Sequence, residues 1–387
     1  MTQQVTVRNF SGKQMECEEV INSLSSIEQA GLRQFSLERM IGYGMDYADA
    51  IEFRSRILTG AEWVATAEQM ADELVRLISS NFEHLPNPMG RSVYKRSSAM
   101  LRMGQMMMLG NTPTRAAMYE KASELYQKAI ACGLNRHRTI IEGANGPLVG
   151  WLIKSQNQPA IGTAIVFGGI EGWAIDFDSI GEELANMGVN ALLLDCPGQG
   201  ETRFAHDHYL TAHWKKDMRA VVDWVEQNWP EAPVGLVGNS MGGSVALAFA
   251  GSDPRIIACC NNGGVMKPSA GRNMGGAFYK KMCSFCGTED EDEAARIWET
   301  VDPLLSEGNK HYALLAIQGG RDPLVANEHA ETLMAAIECA HKEMVVFSDG
   351  DHCIYNHRTD RDLLIANWMR RQLSGNFRKT SELKKDV

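Results

Sequence analysis

Along the first third of the chain, apolar positions recur at the three- and four-residue spacing of helices and never alternate as strands do. The stretches "DYADAIEFRSRI", "GAEWVATAEQMADELVRLISSNF" and "RAAMYEKASELYQKAIACG" carry this pattern, so the chain from about Ser23 to Ala131 reads as helix after helix. Gly133 stands where a glycine cap would end the last of them. The prolines of "LPNPMG" and "NTPT" mark loops between helices. After Leu134 the periodicity changes. "HRTIIEGANGPLVGWLIKS" reads as two strands joined at an Asn-Gly turn. Short continuous apolar runs then alternate with amphipathic segments: "GTAIVFGG", the helix "FDSIGEELANMG", "VNALLLDC", the helix "WKKDMRAVVDWVEQNW", "VGLVGN" and the helix "MGGSVALAFAGS". "HYALLAIQGG" and "EMVVFSDG" add two late strands with the helix "NEHAETLMAAIECA" between them. Buried strands separated by helices predict a mostly parallel twisted sheet covered on both faces.

The expected organisation is therefore an all-helical region over residues 1–134, an α/β domain over 135–376 and a polar tail over 377–387. A mostly polar, helical excursion interrupts the α/β domain at about 264–308, and its charge run "GTEDEDEAARIW" reads as a solvated helix start.

Composition narrows the function classes. The net charge of -10, from 38 basic and 48 acidic residues, disfavours a nucleic-acid partner. No apolar run is long enough to span a bilayer. The first twenty residues carry no basic segment followed by an apolar core, so no secretory signal is expected. Nine cysteines without a framework spacing suit a reducing, cytoplasmic compartment. Cys283 and Cys286 form a lone C-x-x-C with no second ligand pair nearby, and His206, His208 and His213 have no metal-site spacing. No metal and no organic cofactor is expected. For the three histidines a surface or pocket-rim position is expected instead.

Candidate chemistry centres on Gly238-Asn239-Ser240-Met241-Gly242, which fits G-x-S-x-G between a buried strand and a helix. At such a bend a serine is presented on a strained backbone, and the flanking glycines relieve crowding. A serine nucleophile needs a base, and the base an orienting acid, in the chain order Ser, acid, His. Asp322 follows the strand of "LLAIQGGRDPLV" and His352 follows that of "MVVFSDGDHCIYNH". Asp349 and Asp351 share the histidine's own loop, and Asp322 could alternatively cap the following helix. The Met241 N–H supplies one oxyanion donor by position. The second falls to Ile170 in "IVFGGIEGW", where Gly168 and Gly169 allow the turn.

These residues resemble the α/β-hydrolase superfamily. "GGIEG", "DCPGQGET" and "GNSMGG", behind a helical N-terminal region, resemble the subgroup of 2,6-dihydropseudooxynicotine hydrolase and the fungal hydrolases that shorten polyketide chains. The resemblance implies a Ser-His-Asp hydrolase of carbon–carbon bonds acting on a small acyl or ketone substrate. Glu171 joins the catalytic residues, where a carboxylate turned to solvent is the plain alternative. The resemblance also implies a homodimer. Asp195 and Gly198 to Gly200 read as a shaping turn. The helical region is expected to cap the carboxyl edge of the sheet, with Gly169, Trp173, Tyr43 and Tyr47 as candidate substrate contacts. The methionines of "MLRMGQMMMLG" read first as helix core and second as a pliable pocket wall. Hydrolysis of an ester, thioester or amide, or acyl transfer, is the alternative reaction on the same residues.

Overall fold

A computed structural model describes residues 17–81, 87–157, 159–274, 276–305 and 308–375 of the chain. The polar tail expected over 377–387 lies outside the described residues, as does most of the N-terminal stretch examined for a signal. The described chain divides into two units, one of residues 1–108 and 112–134, the other of 109–111 and 135–387.

The first unit is helical among its described residues: α1 (Glu18–Ser23), α2 (Ser26–Gln34), α3 (Leu37–Gly42), α4 (Tyr47–Leu58), α5 (Trp63–Asn81), α6 (Asn87–Gln105) and α7 (Pro113–Ala131). The sequence sets several of their starts. Asp46 caps α4 by accepting from the Ala48 N–H, and Thr112 caps α7 with Pro113 at the first helical position. "LPNPMG" is less of a break than its prolines suggest, because α6 already begins at Asn87 and carries Pro88 in its first turn, where a missing N–H costs nothing. Trp63 organises the interior: its indole donates to the Met103 carbonyl at 3.1 Å and its ring meets Phe53 edge-on at 4.8 Å. Met100, Met103 and Met106 are fully buried, the core position read first for that methionine cluster.

In the second unit the Asn-Gly turn does join two antiparallel strands, β1 (His137–Glu142) and β2 (Pro147–Ile153). β3 (Thr163–Phe167), β4 (Asn190–Asp195), β5 (Val234–Asn239), β6 (Ile256–Asn262), β7 (Ala313–Gly319) and β8 (His341–Phe347) follow. The sheet runs β1-β2-β4-β3-β5-β6-β7-β8, parallel from β4 to β8 with β2 antiparallel to β4. Its connecting helices are α8 (Asp178–Asn186), α9 (Gly200–Phe204), α10 (Trp214–Asn228), α11 (Met241–Ala250), α12 (Gly276–Phe285), α13 (Glu291–Glu299), α14 (Asn327–Ala336) and α15 (Arg358–Leu373).

Among the elements not expected from the sequence are β6 and α15. The "IIACCNN" of β6 ends in two asparagines that look like a turn, yet Asn261 and Asn262 pair in register with Ala316 and Ile317. The polar residues of α15 conceal a buried stripe through Ile365, Trp368 and Met369. The excursion is less polar than its sequence suggests. It holds α12 and α13, and buries Tyr279, Met282, Phe285 and Trp298. Asp290 caps α13 by accepting from the Asp292 and Glu293 N–H groups, as a solvated helix start should. Cys283 and Cys286 are both buried and unbonded, as small apolar groups would be.

Candidate active site

β5 ends in a bend that only its neighbours make possible. Ser240 has φ 55° and ψ -133°, a conformation L-residues rarely adopt, at a cost of about 1–3 kcal/mol. The strain is held from several sides. The Ser240 N–H donates to the Asn262 carbonyl at 2.8 Å, and the Asn262 side-chain amide donates to Asn239 Oδ1 at 2.8 Å. A methyl group on Gly238 would lie 2.1 Å from the Gly242 carbonyl oxygen, and one on Gly242 would lie 2.3 Å from that of Gly168. Both glycines of the motif are therefore required by close backbone approach. α11 begins at Met241, directly after the serine.

The loops after β7 and β8 are laced together at their starts. The Gly320 N–H donates to the Phe347 carbonyl at 2.7 Å and the Arg321 N–H to that of Gly350 at 2.9 Å. This brings Asp322 and His352 side by side. Asp322 Oδ2 lies 2.8 Å from His352 Nδ1, and His352 Nε2 lies 2.8 Å from Ser240 Oγ. Asp322 Oδ1 meanwhile accepts from the Leu324 and Val325 N–H groups at 2.8 and 3.0 Å. The carboxylate thus caps its own turn with one oxygen and meets the histidine with the other, while α14 takes Ala326 at its cap. The local acids are engaged elsewhere: Asp351 accepts from the Tyr355 N–H, and Asp349 pairs with His357 at 2.9 Å.

His352 opens a strained turn of its own. Cys353 and Ile354 both have φ 59°, which is costly for a β-branched residue. The Cys353 carbonyl accepts from buried Arg361 at 3.0 Å and from the Asn262 side chain at 3.3 Å. Burial alone would depress the His352 pKa; Cys353 and the Asp322 carboxylate outweigh it and hold the pKa above the ordinary 6.5.

The loop after β3 passes close to the serine: a methyl group on Gly169 would lie 2.7 Å from Ser240 Cβ and 3.0 Å from its Oγ. Gln199, which the sequence analysis left inside a shaping turn, fixes this loop by donating to the Gly168 and Gly169 carbonyls at 2.7 and 3.0 Å. The turn itself is held by Asp195, whose carboxylate accepts from the Ala174 and Glu201 N–H groups. Ile170 is buried in the same loop, and Trp173 is fully buried beside Phe204, with ring centroids 5.8 Å apart.

Glu171 is not turned to solvent. It is buried and paired with the ammonium of Lys281, itself buried, from α12. Sequence reasoning missed Lys281 because it lies in the mostly polar, helical excursion, where no motif marks it. In the helical unit Tyr43 is buried, with its hydroxyl 3.1 Å from an Arg39 guanidinium nitrogen, whereas Tyr47 is exposed.

One expectation is corrected. His208 is neither at the surface nor on a rim: it is buried, with Nδ1 3.0 Å from the Pro147 carbonyl and Nε2 3.4 Å from Asp217. Asp217 also accepts from the backbone and side chain of Asn145 at 2.8 Å, so the pair clasps the turn between β1 and β2. Among the described residues no cluster of His, Cys, Asp or Glu has a metal-binding arrangement. No helix among them is long and apolar enough to cross a membrane. A cavity of about 510 Å³ lined by Asn309, Lys310, Tyr312 and Glu338 opens where the chain enters β7 and β8. It lies at the opposite end of the strands from Ser240, and no residue of the site reaches it.

Comparison with known proteins bears on the fold. The family model described as serine aminopeptidase, S33, matches residues 158–270. The 2,6-dihydropseudooxynicotine hydrolase of Paenarthrobacter nicotinovorans is 25% identical over 345 residues, 86% of this chain and 90% of that protein. A crystal structure of the 2,6-dihydroxy-pseudo-oxynicotine hydrolase superposes with a TM-score of 0.73 at 20% identity, over 88% of this chain and 97% of that one.

The chain has the α/β-hydrolase fold.

The chain also superposes on AbyA5 with a TM-score of 0.67 at 14% identity, over 91% of this chain and 99% of that one. Protein phosphatase methylesterase 1 of Mus musculus is 26% identical over 187 residues, 47% of this chain and 45% of that protein. The whole-length matches include the 2,6-dihydropseudooxynicotine hydrolase whose subgroup "GGIEG", "DCPGQGET" and "GNSMGG" resemble.

Proposed function

We propose that this hydrolase breaks a carbon–carbon bond beside a carbonyl in a β-diketone-like or polyketide-type substrate, with Ser240 as nucleophile. Serine chemistry is supported above all by the continuous relay of Asp322, His352 and strained Ser240, with both links at 2.8 Å, and a carbon leaving group by buried Glu171 and the Lys281 ammonium paired with it. His352, oriented by Asp322, takes the Ser240 proton as Oγ attacks the carbonyl. The oxyanion is received by the Ile170 and Met241 N–H groups, each worth about 3–4 kcal/mol at the transition state. The tetrahedral adduct collapses with loss of the carbon leaving group, which His352 protonates. Water then releases the acyl group by the same route. Glu171 acts on the leaving-group side, where an ester would need nothing and a carbanion needs a sink. Nine unbonded cysteines support a reducing, cytoplasmic setting.

The relay is indifferent to the leaving group, so ester or thioester hydrolysis is the second reading; the partial likeness to a methylesterase favours it. The two separate on a β-diketone and a p-nitrophenyl ester. Ser240→Ala is expected to lose both activities by about 10⁴-fold or more, together with fluorophosphonate labelling. Glu171→Gln is expected to lose diketone cleavage by about 10²-fold and to keep ester hydrolysis. Equal diketone rates in Glu171→Gln and wild type would remove the carbon–carbon reading.

A further inference from the structure

Lys281 is a buried ammonium in a place where the relay alone gives it nothing to do. Its side chain is 8% exposed and that of Glu171 7%. An ammonium carries three donors, and Glu171 is the acceptor that Lys281 meets among the described residues. Burying such a charge is expensive unless its donors are used. Its helix is held against the shaping turn: the Leu210 N–H donates to the Phe285 carbonyl at 2.9 Å, and a methyl group on Gly198 would lie 2.6 Å from the Phe285 ring. Gln199 of that same turn grips the Gly168 and Gly169 carbonyls, and Gly169 faces Ser240. Glu171 stands two residues beyond Gly169. The ammonium is therefore carried by a rigid chain of contacts to the loop that borders the serine. A lone carboxylate there would repel developing negative charge; a carboxylate that aims an ammonium does not.

We propose that Lys281 recognises 1,3-dicarbonyl substrates by donating to the second carbonyl oxygen, the one that becomes the enolate. The inference rests on the carbon–carbon reading above and assigns its electron sink. After Ser240 Oγ has bonded to the first carbonyl carbon, the bond from that carbon to the central carbon breaks. Its electron pair moves toward the second carbonyl, giving a C=C–O⁻ enolate hydrogen-bonded to the Lys281 ammonium. The proton that His352 took from Ser240 is delivered to the central carbon, which yields a neutral ketone and an acyl-serine for water to hydrolyse. Glu171 is a positioning residue in this scheme, because it acts by aiming Lys281.

The test compares 2,4-pentanedione with p-nitrophenyl acetate, since both leave the same acetyl group on Ser240 and differ only in what departs. Lys281→Met is expected to lower kcat/KM for the diketone by about 100-fold and for the ester by less than threefold. Lys281→Arg should recover part of the diketone rate. In the Ser240→Ala background, Lys281→Met should raise the Kd for the diketone, because the hydrogen bond to its second carbonyl is lost. Diketone and ester rates that fall together would make Lys281 a structural anchor and overturn the proposal, as would an unchanged diketone rate. A wild-type enzyme that turns over the ester and not the diketone would overturn the carbon–carbon reading itself, and this assignment with it.

Discussion

Gly169→Ala probes how tightly the loop after β3 is fitted to the nucleophile. The added methyl would stand 2.7 Å from Ser240 Cβ, where ordinary carbon contact begins near 3.4 Å, so about 0.7 Å must be recovered by movement. The serine has little freedom to give: its N–H is bound to Asn262, and Gly242 leaves no space toward Gly168. The loop must move instead, and Gln199 resists through both carbonyls. Overpacking of this kind costs about 1–3 kcal/mol of stability, a drop of some few degrees in Tm for a unit of this size. The catalytic cost should be larger. A displacement of that size takes the Ile170 N–H out of hydrogen-bonding range of an oxyanion, and loss of one such donor costs about 10²–10³ in rate. The assay is kcat/KM on p-nitrophenyl acetate beside a thermal melt. Fluorophosphonate labelling of Ser240 should slow in parallel, because phosphonylation uses the same donors. A Gly169→Ala enzyme with full activity and an unchanged melt would refute the assignment of this loop as the oxyanion wall.

Two further predictions concern protons. His352 acts as a base only when neutral, and its pKa is held above 6.5, so kcat/KM should still be rising with pH beyond that value. Asp322→Asn should move this rise toward lower pH while lowering its plateau; a midpoint below 6.5 in wild type would contradict the geometry. The His208–Asp217 clasp should matter most between the two ordinary pKa values. Asp217 is lowered from 3.8: burial opposes this, and the bonds from His208 and Asn145 outweigh it, so its contribution fades as pH falls through the lowered value. His208 is raised from 6.5, again against burial and through Asp217, so its contribution is complete below 6.5 and is lost as pH rises through the raised value. His208→Gln should therefore destabilise the protein more at pH 5.5 than at pH 9 in urea unfolding. An equal effect at both would show the pair to be uncharged.

The parts of the site that were legible in the sequence are those marked by their immediate surroundings in the chain. The bend at Ser240 announces itself because strand, glycines and helix are contiguous. Asp322 and His352 are each legible as polar residues just past an apolar run. What escaped depends on distant neighbours. "IIACCNN" hides a strand because its asparagines are spent inside the sheet, where Asn262 braces both Ser240 and the turn after His352. His208 looks like a surface residue until Asp217, on α10, is seen to receive it. Lys281 lies in a run that reads as a mostly polar, helical excursion, and only the folded chain discloses the carboxylate it meets.

The position of α12 in the connectivity carries one last consequence. Ser240, Asp322 and His352 stand on the turns that follow β5, β7 and β8, whereas Lys281 arrives on an inserted segment between β6 and β7. On the proposed reading, attack machinery and leaving-group chemistry are written in separate stretches of the gene. Replacing that one insertion could retrain the enzyme toward a different departing fragment, while every atom that activates the serine keeps its place.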